Sequence, residues 1–398
     1  MNILFVYDKE IIPHSGGVER VTLVLSEELK KRGHGIVFLS LGNSSRKSVD
    51  SQYKFPQYSL SLKEPDFFSS FLDLLETHAI GRVIFQNMSN DTMSLLRHPG
   101  FPENVKKAVV LHNRPNAYYG HERYIMGLTP WRDLSVTEKI LKGLAYVSPH
   151  LFRYVRKVKN GDRYRQATRF SDYFVLLSSR YIPLVQKLTG DTESSNVVSV
   201  NNPNTFPLTG IGDVTASKEK IVLFVGRLNN TQKNVSGFID VWKEFSEKHP
   251  DWKGLIVGEG EHRDIIERYA GKKGVKNLFF EGNRENITDY YKKAPVLCMT
   301  SCYEGWPMVL TEAMAYGCIP VVYDSFEAVH DLIEDGRNGF VIKAFDRAKM
   351  VAALSGLADD GELRKKMAAE GEEKIKEFSV ENIVDRWESL LMHPRSVQ

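Results

Sequence analysis

The chain has 398 residues, 42% of them hydrophobic and 26% charged, and carries a net charge of +3. That length exceeds what one hydrophobic core usually organises, so two domains are expected, and the composition excludes a disordered or collagen-like chain. The small net charge gives no reason to expect nucleic acid as a partner, and no run of about 18 apolar residues is present to span a bilayer.

The opening Met1-Asn-Ile-Leu-Phe-Val-Tyr7 lacks the basic and long apolar regions of a secretory leader. Cys298, Cys302 and Cys318 are odd in number and close together, which argues against a disulfide framework and for a reducing, cytoplasmic setting. No histidine stands beside Cys298 at ligand spacing, so the three read as small buried apolar residues and no metal site is expected.

Strand and helix patterns alternate along the whole chain, the signature of α/β domains with parallel sheets. Residues 3–7 read as a first buried strand. Ser15-Gly16-Gly17-Val18 follows, and these glycines free the amides to approach an anion at the start of a helix. That helix runs over 18–31 and stops at Gly33 behind three basic residues, which complement the helix dipole. Further strands are expected at 35–40, 83–86, 108–111, 173–177 and 197–200. His112 ends one of them and heads a polar cluster, Asn113-Arg114-Pro115, that reads as active-site lining. His14 and His121 are weaker candidates. Asn201-Asn202-Pro203-Asn204 reads as a hinge-side turn.

Residues 139–169 hold nine basic side chains against one acid, Asp162, interleaved with Tyr146, Phe152, Tyr154 and Tyr164. No nucleic-acid module surrounds them. A basic and aromatic face fits an anionic membrane surface or a lipid diphosphate; a solvated helix is the competing reading.

The polar stretch 208–220 reads as a linker, giving domains 1–207 and 208–379, with an amphipathic last helix over 380–392 whose apolar side suits packing back, with the rest of 380–398, on the first domain. In the second series, strand 221–225 leads into Gly226 and Arg227, with Lys233 shortly after. Gly226 permits a tight turn, Arg227 can fork two phosphate oxygens, and Lys233 adds a point charge. Strands are expected at 255–257, 278–280, 296–300, 320–323 and 340–342, and helices at 235–249, 262–269 and 308–316. Backbone groups of Gly282, Asn283 and Arg284 could read a base edge, or form an ordinary turn.

The most informative segment is Ser301-Cys-Tyr-Glu-Gly-Trp-Pro-Met-Val-Leu-Thr-Glu-Ala-Met-Ala315. Pro307 suits the first position of a helix, where the amides of Met308, Val309 and Leu310 would be orphan donors for a phosphate. Glu304 precedes the helix and Glu312 lies about a turn and a half inside it. Carboxylates repel phosphate, so the pair would accept hydrogen bonds from sugar hydroxyls. A nucleotide-sugar, with a diphosphate between two sugars, fits the segment.

Together the Gly-Gly loop, the Val-Gly-Arg-Leu with its lysine, and the Glu-x7-Glu segment ending Glu-Ala-Met-Ala resemble those of family-4 retaining glycosyltransferases of the GT-B fold, two doubly wound Rossmann-like α/β domains facing a central cleft. The likeness is most specific over 220–345 and weaker over 43–170, where acceptor recognition is expected. The resemblance implies that Arg227 and Lys233 hold the diphosphate and stabilise its departure. It implies that Glu304 bonds the transferred sugar, Glu312 the ribose, and Met308 and Val309 a phosphate or sugar. Gly226 and Asn283 would line the same donor site, Gly16 and Gly17 would approach from the other domain, and His112 would be the active-site histidine. It further implies retention at the anomeric carbon, with the leaving diphosphate taking the acceptor's proton, and no metal or other cofactor. The donor would be a UDP-sugar carrying a hexose or N-acetylhexosamine. The acceptor would be a saccharide, lipid-linked, at the inner face of the cell membrane in capsule, lipopolysaccharide or exopolysaccharide assembly. Pro307 stands where many members have glycine, and Trp306 where many have phenylalanine, which bears on the sugar pocket.

Three other functions fit these residues less well. An epimerase of the same fold would hold the same diphosphate without needing an acceptor region. A hydrolase needs its carboxylates on either side of one bond and would leave the cations idle. A non-catalytic subunit would be expected to have lost the clamp or Glu304.

Overall fold

The computed structural model describes residues 1–12, 16–42, 54–117, 121–128, 131, 135–206 and 218–392. His14, Ser15 and most of the expected linker, including the boundary at 207/208, lie outside the described residues. The strands are β1 (Asn2–Tyr7), β2 (Gly35–Leu41), β3 (Gln57–Leu60), β4 (Ile80–Phe85), β5 (Lys106–Leu111), β6 (Tyr173–Leu176), β7 (Val197–Ser199), β8 (Ile221–Val225), β9 (Lys253–Val257), β10 (Leu278–Gly282), β11 (Val296–Met299), β12 (Ile319–Asp324) and β13 (Phe340–Lys343). The helices, in chain order, are α1 (Gly17–Lys31), α2 (Phe67–Thr77), α3 (Asn90–Leu96), α4 (Glu122–Gly127), α5 (Val136–Val147), α6 (Pro149–Phe170), α7 (Ile182–Thr189) and α8 (Asn230–Lys233). They continue with α9 (Val235–Lys248), α10 (Arg263–Lys273), α11 (Ile287–Lys293), α12 (Met308–Met314), α13 (Val329–Leu332), α14 (Arg347–Asp359), α15 (Gly361–Ile375) and α16 (Val380–Met392).

The chain forms two compact units. The first comprises Met1–Pro115, Lys157–Thr205 and Phe378–Gln398, the second Asn116–Arg156 and Phe206–Glu377. The first holds a seven-stranded sheet in the order β3-β2-β1-β4-β5-β6-β7, and the second a six-stranded sheet in the order β10-β9-β8-β11-β12-β13. The recorded strand pairs are all parallel. Strands covered on both faces read as continuous apolar runs, which is why Ile-Val-Leu-Phe-Val at 221–225 stands out in the sequence. β3 carries no such run: it is a four-residue edge strand reading Gln-Tyr-Ser-Leu, and the periodicity gave no sign of it.

In the second sheet the order reverses between β8 and β11. Ligands of open α/β sheets bind at such a switch point, outside the carboxyl ends of the strands. Those ends carry Gly226-Arg227 and Thr300–Glu304. Beneath them α9 buries Phe238, Trp242 and Phe245 completely. Each such apolar side chain contributes about 1.5–3 kcal/mol, and Trp242 keeps its Nε1–H satisfied by the Lys276 carbonyl at 2.8 Å.

The domain division differs from an uninterrupted first domain over 1–207. Residues 116–156 belong with the second unit, for a local reason: Tyr124 stacks on Phe345 with ring centroids 3.8 Å apart, and Asn230 Nδ2 donates to the Leu128 carbonyl at 3.0 Å. Helix α16 lies in the first unit. Arg32 Nη1 reaches Asp385 Oδ1 at 2.5 Å and Glu388 Oε2 at 2.6 Å, and the apolar side of α16 buries Ile383, Val384, Trp387 and Leu391.

Candidate active site

The centre of the site is an ion pair. Lys233 Nζ donates to Glu304 Oε1 at 2.7 Å, with the lysine side chain 16% and the glutamate side chain 7% exposed. Gln232 Nε2 adds contacts to Glu304 Oε2 at 3.4 Å and to the Tyr303 carbonyl at 3.5 Å, and the Cys302 amide donates to the Gln232 carbonyl at 2.7 Å. The loops after β8 and β11 are thereby tied through both backbone and side chain.

Asn234 sets the lysine's position. It takes the left-handed conformation, φ 49° and ψ 49°, closing α8 and capping α9 with its side chain on the Gly237 amide. Its Nδ2 donates to the Thr300 carbonyl at 3.1 Å, and Thr300 Oγ1 donates back to the Asn234 carbonyl at 2.9 Å. Tyr124 Oη reaches Asn234 Oδ1 at 3.3 Å. Gln232, Asn234, Thr300 and Tyr124 were absent from the sequence-based candidates. Asparagine is among the few residues that tolerate the left-handed region, so Lys233-Asn234 at a helix boundary was the available signal for one of them.

Of the other expected donor residues, Gly226 lies against the pair, since a Cβ there would come 3.5 Å from Lys233 Cε, while the recorded bonds of Arg227 and Glu312 go to other partners. Arg227 is largely exposed, and its Nε donates to Glu261 Oε2 at 2.9 Å rather than joining Lys233. Glu261 also takes Asn229 Nδ2 at 2.5 Å. Glu312 is buried inside α12, where Tyr291 Oη donates to its Oε2 at 2.9 Å. Asn283 is exposed just beyond β10. Gly226 donates its amide to the Val257 carbonyl at 3.0 Å, which ties the Arg227 turn to the loop after β9. There Gly258-Glu259-Gly260 runs so close that a side chain at 258 would collide with the Gly226 carbonyl. That Gly-x-Gly behind a strand was a legible signal that the sequence reading passed over.

Pro307 is the N-cap of α12, not its first helical residue. With φ −79° and ψ 91° it is extended, and its carbonyl accepts the Leu310 amide at 2.9 Å. Leu310 is therefore not an orphan donor, and Met308 and Val309 are the amides at the mouth of the helix. Cys298, Cys302 and Cys318 are free and buried, and burial raises all three thiols. They are packing residues in this structure. Among the described residues no group of three or more His, Cys, Asp or Glu could hold a metal ion.

Gly16, Gly17 and His112 belong to the first unit. Gly17 opens α1 and Gly16 is its extended N-cap. The buried Glu19 turns its carboxylate back on them: a side chain at Gly16 would fall 2.6 Å from Glu19 Oε2. The positive end of α1 already faces a carboxylate of its own first turn. His112 Nε2 pairs with Gln86 Oε1 at 2.7 Å, and burial pushes the imidazole down to about 4.

In the basic stretch several charges are committed. Arg153 makes a fork to both oxygens of Glu122 at 2.7 and 3.0 Å, Arg163 bonds Asn90, and Lys142 is buried with its ammonium over the Trp131 ring. Lys139, Lys157, Lys159, Arg165 and Arg169 are exposed. No helix among the described residues is long and apolar enough to cross a membrane.

Two doubly wound parallel domains, with a polar site at a switch point, define the class: the fold is that of the GT-B glycosyltransferases. It superposes on TarM of S. aureus with a TM-score of 0.72 at 13% identity, covering 99% of this chain and 100% of that one. It superposes on HepE of Anabaena, solved with UDP and glucose, with a TM-score of 0.69 at 17% identity, covering 98% and 99%. Residues 213–374 match the family described as glycosyl transferases group 1. Over 385 residues it is 26% identical to an uncharacterized glycosyltransferase of Haemophilus influenzae, covering 96% of this chain and 97% of the relative. Over 209 residues it is 32% identical to the amylovoran biosynthesis glycosyltransferase AmsD of Erwinia amylovora, covering 51% and 58%. The protein is thus a glycosyltransferase with relatives in bacterial polysaccharide biosynthesis.

Proposed function

We propose that the protein moves a hexose or N-acetylhexosamine from a UDP-sugar to a saccharide acceptor, lipid-linked, with retention at the anomeric carbon and without a metal. The observation that carries this reading is the Lys233–Glu304 pair at the switch point of the second sheet. An ammonium has three N–H donors, so Lys233 can hold Glu304 and still present donors to a diphosphate. Glu304, fixed in place, accepts from the sugar's hydroxyls. Arg227 would turn from Glu261 to the diphosphate, while Met308, Val309, Gly226, Asn283 and Glu312 would line the nucleotide, and Gly16, Gly17 and His112 are proposed as further donor contacts. The acceptor hydroxyl attacks the anomeric carbon as the bond to the phosphate oxygen breaks, and the departing diphosphate takes the hydroxyl's proton. HepE is solved with UDP and glucose, which supports a uridine donor by analogy.

The lipid-linked acceptor would place the protein at the inner face of the cell membrane, in capsule, lipopolysaccharide or exopolysaccharide assembly. The basic stretch 139–169 supports an anionic surface as a partner.

The test is a donor panel: uridine, guanosine and adenosine diphospho-sugars with chelator present, reading released nucleoside diphosphate, with Lys233→Ala and Arg227→Ala as controls. Release from a uridine donor that both controls abolish is the expected result. Release that survives Lys233→Ala, or that requires an added metal, would refute the corresponding part of the reading.

A further inference from the structure

Thirteen large hydrophobic side chains are exposed among the described residues, and ten of them lie between Tyr124 and Val158. They are not scattered. On α5 the exposed Val136, Ile140 and Val147 fall at i, i+4 and i+11, one stripe of the helix, while Lys142 and Ala145 on the other side are buried. On α6 Leu151, Tyr154, Val155 and Val158 fall at i, i+3, i+4 and i+7, again one stripe, opposite the buried Phe152, Tyr164 and Ala167. Val147 is 86% and Val136 73% exposed, values far from those of a packed apolar face. Single exposed apolar residues need no explanation, but stripes on two consecutive helices mark an interaction surface.

The charges beside these stripes say what covers them. Lys139 sits within one turn of Val136 and Ile140, and Lys157 and Lys159 flank Val158; all three are exposed. Further along α6 the line of the stripe continues through Asp162 to Arg165 and Arg169. Apolar stripes edged by cations, with Trp131 and Tyr146 also exposed nearby, are the pattern of helices that lie in a membrane interface. The cations supply the attraction to anionic headgroups and the apolar side chains supply the insertion.

The position of the stripes relates to the chemistry. Val147 also lines a cavity of about 610 Å³ with Tyr124, Ser148, Pro149, His150 and the paired Glu122 and Arg153. Tyr124 is the residue bonded to Asn234, next to Lys233.

We propose that α5 and α6 seat the protein on an anionic lipid surface, with Val136, Ile140, Val147, Leu151, Tyr154, Val155 and Val158 inserted among the acyl chains. This rests on the lipid-linked acceptor reading and adds the inserted residues to the electrostatic attraction.

The full chain would be sedimented with vesicles of phosphatidylcholine alone and of phosphatidylcholine with about one third phosphatidylglycerol. Three proteins are compared: wild type, a stripe variant (V136S, I140S, L151S, V155S, V158S) and a charge variant (K139E, K157E, K159E). All the changed residues are exposed, and thermal unfolding of each variant checks that the fold is kept. Release of nucleoside diphosphate in solution is read on the same preparations. The expected result is sedimentation of wild type with the anionic vesicles, at least tenfold weaker partitioning of both variants, and unchanged donor cleavage in solution. Wild type left in the supernatant, or a stripe variant that binds like wild type, would overturn the proposal. So would a concentration-dependent dimer that the stripe variant dissolves without vesicle binding, since the face would then belong to a second copy. Vesicle binding without any donor cleavage would instead count against the glycosyltransferase reading while leaving the surface assigned.

Discussion

Lys233 and Glu304 stand 71 positions apart and meet at 2.7 Å, at the carboxyl ends of the two strands between which the second sheet reverses its order. Gln232 braces the glutamate from one side, and Asn234 and Thr300 fix the lysine's backbone from the other. The pair is mostly buried, with the lysine side chain 16% and the glutamate side chain 7% exposed.

Removing the lysine tests both consequences. Lys233→Ala is expected to lower turnover by about 10²–10³, the effect of deleting one preorganised donor, or roughly 3–4 kcal/mol. It also leaves Glu304 without its cation. Breaking a fully buried pair costs about 3–5 kcal/mol, and the partial exposure of Lys233 sets the expected loss below that. Steady-state kinetics and urea denaturation of the same protein separate the two effects, and near-wild-type turnover would refute the assignment of Lys233 to the leaving group.

Asn234 gives an ordering rather than a single value. Its left-handed backbone costs a side chain with a β-carbon about 1–2 kcal/mol, a penalty that glycine escapes. Both Asn234→Ala and Asn234→Gly lose the cap on α9 and the bond to Thr300, with the cap alone worth about 1 kcal/mol. The alanine variant should therefore be the less stable of the two by about 1 kcal/mol or more in urea midpoints. Equal stabilities would show that the backbone strain argument fails.

His112 predicts a pH dependence. Burial places its folded value at about 4, against about 6.5 in an unfolded chain. Between those values the unfolded state binds the proton and the folded state does not, so stability rises with pH there. The contribution is fully present above about pH 6.5 and is lost as the pH falls through 4. Full loss is on the order of 3 kcal/mol. Proton NMR of the imidazole should show no titration between pH 5.5 and 8, and a midpoint near 6.5 would contradict the burial argument.

On α16 the aromatic should outweigh the ion pairs. Trp387 is buried, and Trp387→Ala is expected to cost about 3–5 kcal/mol through the cavity it leaves. Arg32→Ala removes contacts to Asp385 and Glu388, but exposed ion pairs are worth about 0–1 kcal/mol. Thermal unfolding of the two variants gives the comparison, and a larger loss from Arg32→Ala would reverse the reading.

Much of the fold was legible before any coordinates. The apolar run at 221–225, the helix from Val235 and the amphipathic repeat at 380–392 declare themselves through local periodicity, and each forms with its ends within a residue or two of the expected place. Edge strand β3 did not, because Gln57, Tyr58 and Ser59 satisfy no apolar period. At the site, the sequence pointed to Lys233 and Glu304 as separate members of one constellation. It could not see that Arg227 turns to Glu261, that Glu312 is bonded to Tyr291, or that Leu310's amide closes on Pro307.

By itself, then, the sequence determined the alternation of strands and helices, the glycine turns behind the strands and the charged residues set into them. All of these depend on backbone stereochemistry and spacing over a few residues. Only the tertiary structure decided which charges pair, which unit holds residues 116–156, and which apolar side chains of α5 and α6 stay in the open. Those outcomes depend on burial and on partners tens of residues away, where the free energy of a contact is set by what the fold brings beside it rather than by its neighbours in the chain.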